Sequence, residues 1–265
     1  MNDVLIGAWH GGLGDCLQFS TLPEEFYKQQ GRETYVAAES HFRNKEIYDL
    51  VWGCNPYIKG VKEGKRNAGD IPEIEFTNEH EFVSSIPNWE YLHGLKPTNK
   101  YPKIYYRPKR YDWRYENTIL VDLSSISLKH DGNKSQFPPA YDANEVKEKY
   151  ETLRRMFPEK EFAAIKFRQD LGTNTFSVRT DSSIQVDSIF HYCDLMNSAY
   201  GIIGLYSGQS ALSCAIMEYN PKLMSICIVS EAVYKKHTKQ SGFIFDNLEY
   251  VIIPETTIVQ DTSIH

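Results

Sequence analysis

Along the chain, short apolar runs alternate with stretches in which apolar residues recur at helical spacing. "VLIGA" (4–8) reads as a buried first strand, and a glycine-rich turn, "HGGLGD" (10–15), follows it. Over 16–29, Phe19, Leu22 and Phe26 stand three and four apart, which predicts one apolar helix face. Pro23 lies inside that pattern, so it predicts either a kink or a place near the first turn, because proline has no N–H to donate. Gly31 is a fitting helix stop. "TYVAA" (34–38) predicts a second strand, "NKEIYDLVWG" (44–53) a short helix and "YIKGVK" (57–62) a third strand. This is the βαβαβ order of a Rossmann-like half-sheet.

Residues 63–118 break the alternation. They hold Pro72, Pro87, Pro97, Pro102 and Pro108, and the basic, aromatic stretch "KPTNKYPKIYYRPKRYDWRY" (96–115). That stretch reads as a crossing between domains with a solvated basic face, or as a patch for a phosphate-bearing or glycan acceptor. A second alternation opens at "TILVDLSSIS" (118–127). Over 142–157, Val146, Tyr150, Leu153 and Phe157 form one helix face; Asp142 and Glu145 resemble a capping box, and Pro158 ends the helix. "FAAIKF" (162–167) is the next strand, and "SVRTD" (177–181) is a candidate for another. "DSIFHYCDLMNSA" (187–199) is helical, with Ile189, Cys193 and Met196 on one face. "GIIGL" (201–205), "LMSICIV" (223–229) and "LEYVII" (248–253) read as strands, and "YSGQSALSCAIMEY" (206–219) turns into a helix. The fold class is therefore α/β: two Rossmann-like domains, 1–115 and 116–265, facing across a cleft. Ligands are expected at the carboxyl ends of the strands.

Composition narrows the partners. The 265 residues are 41% hydrophobic and 24% charged, which is ordinary for a globular protein. The net charge of −6 disfavours sequence-independent binding to nucleic acid, so no nucleic acid is expected. No stretch approaches the roughly 20 apolar residues of a membrane span, and the N-terminus lacks the basic start and long apolar region of a signal peptide. The cysteines, Cys16, Cys54, Cys193, Cys214 and Cys227, are odd in number and form no CxxC pair. Neither a disulfide framework nor a zinc site is expected, and a cytoplasmic location is. The histidines are scattered without ligand spacing, and the nearest acid pair, Glu73-Ile74-Glu75, falls in the proline-rich region. No metal site is predicted.

Two motifs carry the chemistry. In Gly11-Gly12-Leu13-Gly14-Asp15 the spacing fails the dinucleotide fingerprint, because Leu17 stands where a further glycine is required. No P-loop Lys-Ser/Thr pair follows. What remains is a tight turn ending in an acid at a helix start, and Asp15 is either a helix cap or a catalytic group. His10 precedes the glycines, as a simple loop residue or one facing an acceptor. The second motif, "GLYSGQSALSCA" (204–215), ends a strand and opens a helix through Ser207, Gly208, Gln209 and Ser210. Free backbone N–H groups and the dipole suit a diphosphate there, and a capped turn is the plainer reading. Cys16 beside Asp15 fits a small buried residue better than a reactive thiol.

Taken together, the motifs resemble the heptosyltransferase-like glycosyltransferases of family 9, which have the GT-B fold. Gly14, Asp15 and Pro23 match that family's first turn and helix. Asn55-Pro56-Tyr57 match the residues before its third strand, and Ser207, Gly208, Leu212 and Ala215 match its late motif. Tyr206 and Ala211 depart from it, standing where the family has Asp and His. The chain is also shorter than is usual in the family, so loops are expected to be reduced. The resemblance implies an inverting, metal-independent transfer from a nucleotide-diphospho sugar to a glycan or lipid-linked glycan, with peripheral membrane contact compatible with such an acceptor. No cofactor is implied beyond this donor substrate. Asp15 would be the general base. Gly11, Gly12 and Gly14 would give the acceptor and donor room. Ser207, Gly208, Gln209, Ser210, Ser124, Ser125, Lys129 and Lys134 would contact the donor, the lysines meeting the leaving diphosphate's charge or remaining solvated. A divergent nucleotide- or glycan-binding protein and a DNA-base glycosyltransferase are the alternatives. Oligomeric state is not legible.

Overall fold

The computed structural model describes residues 3–8, 10–71, 85–110, 113–125, 143–168, 174–239 and 244–254. The first half builds a parallel sheet in the order β3-β2-β1-β4 from β1 (Val4–Gly7), β2 (Thr34–Ala37), β3 (Ile58–Lys62) and β4 (Ala68–Gly69). The second half builds a six-stranded parallel sheet in the order β12-β11-β10-β5-β7-β9. Its strands are β5 (Thr118–Asp122), β7 (Glu161–Phe167), β9 (Ser182–Val186), β10 (Gly201–Leu205), β11 (Met224–Ser230) and β12 (Glu249–Ile253). A small antiparallel pair, β6 (Ser124–Ser125) with β8 (Asn174–Thr175), extends from the end of β5. The helices are α1 (Leu13–Leu17), α2 (Leu22–Gln30), α3 (Lys45–Tyr48), α4 (Ser85–Leu92), α5 (Ala143–Met156), α6 (Ile189–Ser198), α7 (Gly208–Ile216) and α8 (Glu231–Lys239). None of them is long and apolar enough to cross a membrane.

Each sheet reverses its strand order at one point. In the first sheet it lies between β1 and β4, and in the second between β5 and β10. The crevice beyond the carboxyl ends of the strands opens at such a point.

The single helix expected over 16–29 is two helices. Pro23 cannot donate to the Phe19 carbonyl, which instead accepts from Leu22 N at 3.1 Å, so the chain turns. Pro23 then lies in the first turn of α2, where its missing N–H costs nothing. Gly31, at φ 65°, closes the helix by donating to the Tyr27 carbonyl at 3.0 Å. The strand expected at 177–181 lies one step later, as β9. Asp181 precedes it and ties it to β7, its carboxylate accepting Phe162 N at 2.9 Å. Helix α8 was not expected from the sequence, and Asp142 and the Glu73–Glu75 pair lie outside the described residues.

Alternation along the central strands divides the second half's core. Ile119, Val121, Ile203 and Leu205 pack with Val146, Tyr150 and Leu153 of α5. Leu120 and Ile202 face the other way, into a larger core that takes in α6 and α7. That larger core also contains Val4, Ile6, Phe19, Leu22, Trp52 and Ile86 of the first half. One apolar interior therefore joins the two sheets.

The stretch 96–110 runs across this junction. Lys103 N donates to Ser20 Oγ at 2.9 Å on the first side. On the other, Tyr106 Oη and Lys109 N both donate to Asp194 Oδ1, at 2.9 and 2.7 Å. Tyr219 Oη also reaches back to the Ile104 carbonyl, at 2.7 Å.

Candidate active site

The loop after β1 is shaped by its glycines. Gly11 has φ 59°, and a Cβ there would lie 2.2 Å from the His41 carbonyl oxygen. No side chain fits that position, because the conformation and the close backbone approach both exclude it. His10 is exposed on this loop. Gly12, extended, leads into α1, and its N–H donates to Asp15 Oδ2 at 3.0 Å. Asp15 is half-buried, and Oδ2 is the oxygen that caps. Oδ1 accepts no hydrogen bond from a described residue. Behind it, burial pushes the Cys16 thiol up to about 12, with Asp15 adding to the shift and Arg43 acting against it. A thiol held there is protonated and inert at neutral pH.

The second motif follows β10. Ser207 caps α7, its Oγ accepting Gln209 N at 3.3 Å. Ser210 is buried and donates its hydroxyl to the Ser207 carbonyl at 2.7 Å. Gln209 is buried as well, folded over Gly204, where a Cβ would meet its Oε1. Its side-chain amide has no hydrogen-bond partner among the described residues. Gly208 packs closely against the turn of the first half. A Cβ on it would lie 2.8 Å from Gly14 N and 2.9 Å from Leu13 Cβ. Thus the turn after β1 and the turn after β10, each at the reversal point of its own sheet, touch.

Asp122 ends β5 and is paired in register with Gly204 of the adjacent strand. It is almost fully buried, and burial raises its carboxyl above the ordinary range. Hydrogen bonds from the Ser124 and Tyr192 hydroxyls pull the other way. Ser124 is therefore committed to Asp122. The side chain of Ser125 and all of Lys129 and Lys134 lie outside the described residues. Tyr206 packs against the second core and Ala211 is fully buried.

Three features were not read from the sequence. Asp122 had a signal, an acid ending a buried apolar run. Glu46 accepts the N–H of Ile189, at the start of α6, at 2.8 Å, a link between residues far apart in sequence. Arg43 is an exposed loop residue with no local signature. Its guanidinium lies 3.3 Å from where a Cβ on Gly12 would sit, and Asp15 Oδ2 lies 2.7 Å from the same point. Among the described residues, no group of three His, Cys, Asp or Glu is placed to hold a metal ion.

No protein-family model matches the sequence, and no characterised protein matches it by sequence. Solved structures do match by shape. The bacterial iron-containing dodecameric glycosyltransferase TibC from enterotoxigenic E. coli H10407 aligns with TM-score 0.52 at 18% identity, over 85% of this chain. This chain spans 57% of the length of that one. The glycosyl transferase family 9 protein from Veillonella parvula DSM 2008 aligns with TM-score 0.56 at 9% identity, over 96% of this chain and 86% of that one. E. coli heptosyltransferase WaaC, solved with ADP, aligns with TM-score 0.52 at 10% identity, over 96% and 94%. The two parallel α/β sheets of this chain thus have the GT-B architecture of the heptosyltransferases.

Proposed function

We propose that this chain is a glycosyltransferase that moves a sugar from a nucleotide-diphospho donor to a hydroxyl of a glycan or lipid-linked glycan. The observation that carries the reading is the contact of Gly208 with Leu13 and Gly14. It puts a half-buried carboxylate and the start of a nine-residue helix at one junction of a GT-B fold. The structural neighbours include enzymes that transfer sugars, one of them solved with ADP.

In this reading the donor diphosphate rests against the start of α7, where backbone N–H groups and the dipole meet its charge. The acceptor hydroxyl approaches over Gly11 and Gly12. Asp15 Oδ1 takes the hydroxyl proton as the oxygen attacks the anomeric carbon, while Oδ2 stays on Gly12 N–H and holds the carboxylate's orientation. The bond from the sugar to the diphosphate breaks, its electron pair leaves with the phosphate, and configuration inverts. The sequence has no Asp-x-Asp pair of the kind that holds a metal-bound diphosphate in the other large glycosyltransferase fold. The charge is therefore assigned to protein groups, with Lys129 and Lys134 as the candidates from the sequence.

The test is turnover of a nucleotide-sugar panel by wild type and Asp15→Asn. Asn keeps an oxygen for the cap but cannot take a proton. Transfer should fall by at least a hundredfold, within the range general bases supply, while nucleotide binding stays within about twofold. Normal turnover by Asp15→Asn would remove the base assignment. Tyr206 and Ala211, in place of the family's Asp and His, favour a second reading as a nucleotide- or glycan-binding protein. Nucleotide-dependent thermal stabilisation without transfer of any sugar would select it.

A further inference from the structure

We propose that Arg43 is an anion-binding residue that holds a phosphate group of the substrate beside Asp15. This rests on the glycosyltransferase reading and adds a specific substrate contact to it. Arg43 lies on the loop between β2 and α3, and its backbone is fixed on both sides. Its N–H donates to the Gly11 carbonyl at 3.0 Å. The next residue, Asn44, caps α3 by accepting Ile47 N at 3.0 Å. The residue is thus exposed but held in place. Its guanidinium lies over Gly12, close to the Asp15 carboxylate, and makes no hydrogen bond or ion pair with a described residue. The carboxylates nearest Arg43 in sequence are engaged elsewhere: Glu39 accepts from Arg66 Nε at 3.1 Å, and Glu46 of α3 accepts Ile189 N at 2.8 Å.

A planar guanidinium with its donors open, next to a proposed reaction centre, matches the oxygens of a phosphate. The contact between Gly208 and Gly14 brings the start of α7, itself favourable to negative charge, to the same turn that Arg43 lies over. Two sources supply that chemistry: the diphosphate of the donor, or a phosphate on the acceptor. In either case Arg43 sits where it can touch the substrate without displacing Asp15 from its cap.

The experiment measures binding to the full chain by calorimetry, at fixed low salt. The probes are nucleoside di- and monophosphates of each base, pyrophosphate and inorganic phosphate. The proteins are wild type, Arg43→Gln, Arg43→Lys and, as a charge control, Arg155→Gln on the outer helix α5. Arg43→Gln should weaken phosphate binding about tenfold or more, the loss of a charge-assisted contact. Arg43→Lys should recover part of it, and Arg155→Gln should match wild type. A loss confined to diphosphates places the donor's phosphate at Arg43. A loss confined to inorganic phosphate places an acceptor phosphate there. Equal affinities in wild type and Arg43→Gln overturn the proposal while leaving the transferase reading intact. An altered pH profile of transfer with unchanged phosphate binding also overturns it, because Arg43 would then act only on Asp15. A wild-type chain that binds none of the probes overturns the transferase reading, and the Arg43 proposal with it.

Discussion

Glu24 shows how much one side chain depends on partners distant in sequence. It lies in the first turn of α2, nearly buried, and accepts from Lys28 Nζ at 2.5 Å, Lys103 Nζ at 2.7 Å and Tyr105 Oη at 2.8 Å. Burial pushes its carboxyl up, and these donors together outweigh burial and bring it down to about 2. The unfolded chain binds the proton more tightly than the folded one. Glu24 therefore contributes stability that is present above the ordinary carboxylate range and is lost as pH falls toward 2. Glu24→Gln should lower stability near neutral pH by roughly 2–3 kcal/mol and flatten the fall between about pH 4.5 and 2, read by denaturant titration across pH. The helical periodicity marked Phe26 as a core residue but gave no sign of Glu24's role, because Lys103 and Tyr105 reach it only once the chain has crossed between sheets. Asp15 differs. The glycine turn before it is local, so its capping was legible, whereas its neighbour Arg43 arrives from another loop.

At the scale of elements, the helix starts α1 and α7 decide the site. Both follow strands whose apolar runs are plain in the sequence. That they touch is not plain, since it depends on where the two sheets sit. Gly208 is glycine because of that contact. Gly208→Ala would press a methyl group on Leu13 Cβ and on the backbone nitrogen of Gly14. Backbone moves less readily than a side-chain end, so the helices must separate, at a cost of about 1–3 kcal/mol. The variant should unfold at lower denaturant and lose most transfer activity. Wild-type activity in Gly208→Ala would show that the α1–α7 spacing is not needed. The break at Pro23 follows from a missing donor and that at Gly31 from glycine's access to positive φ; both act locally, and so were readable in kind if not in boundary.

For the whole molecule, the continuous interior matters most. Residues of β1, α2, α4, α6 and α7 share one core, and the 96–110 stretch is hydrogen-bonded to both halves. Such a chain should melt in one transition, with calorimetric and van't Hoff enthalpies equal. Two resolved transitions would show that the halves fold separately. Asp194→Ala leaves the Tyr106 hydroxyl and Lys109 N–H without their acceptor, at roughly 1–3 kcal/mol for each group. The single transition should persist and move down by several degrees, on the order of 2–4 °C per kcal/mol for a chain of this size.

The sequence by itself determined the α/β class, the main strands of both halves and the two glycine-bearing turns proposed to carry the chemistry, though not the short strands β4, β6 and β8. Those properties follow from apolar period, proline and glycine, which constrain only neighbouring residues. The tertiary structure decided what the loops meet. Gly208 against Gly14, Arg43 over Gly12, Asp122 beside Gly204 and Glu46 on the start of α6 are contacts between segments far apart in the chain. Such pairings depend on how two sheets pack through a shared core, and no local pattern of residues encodes that geometry.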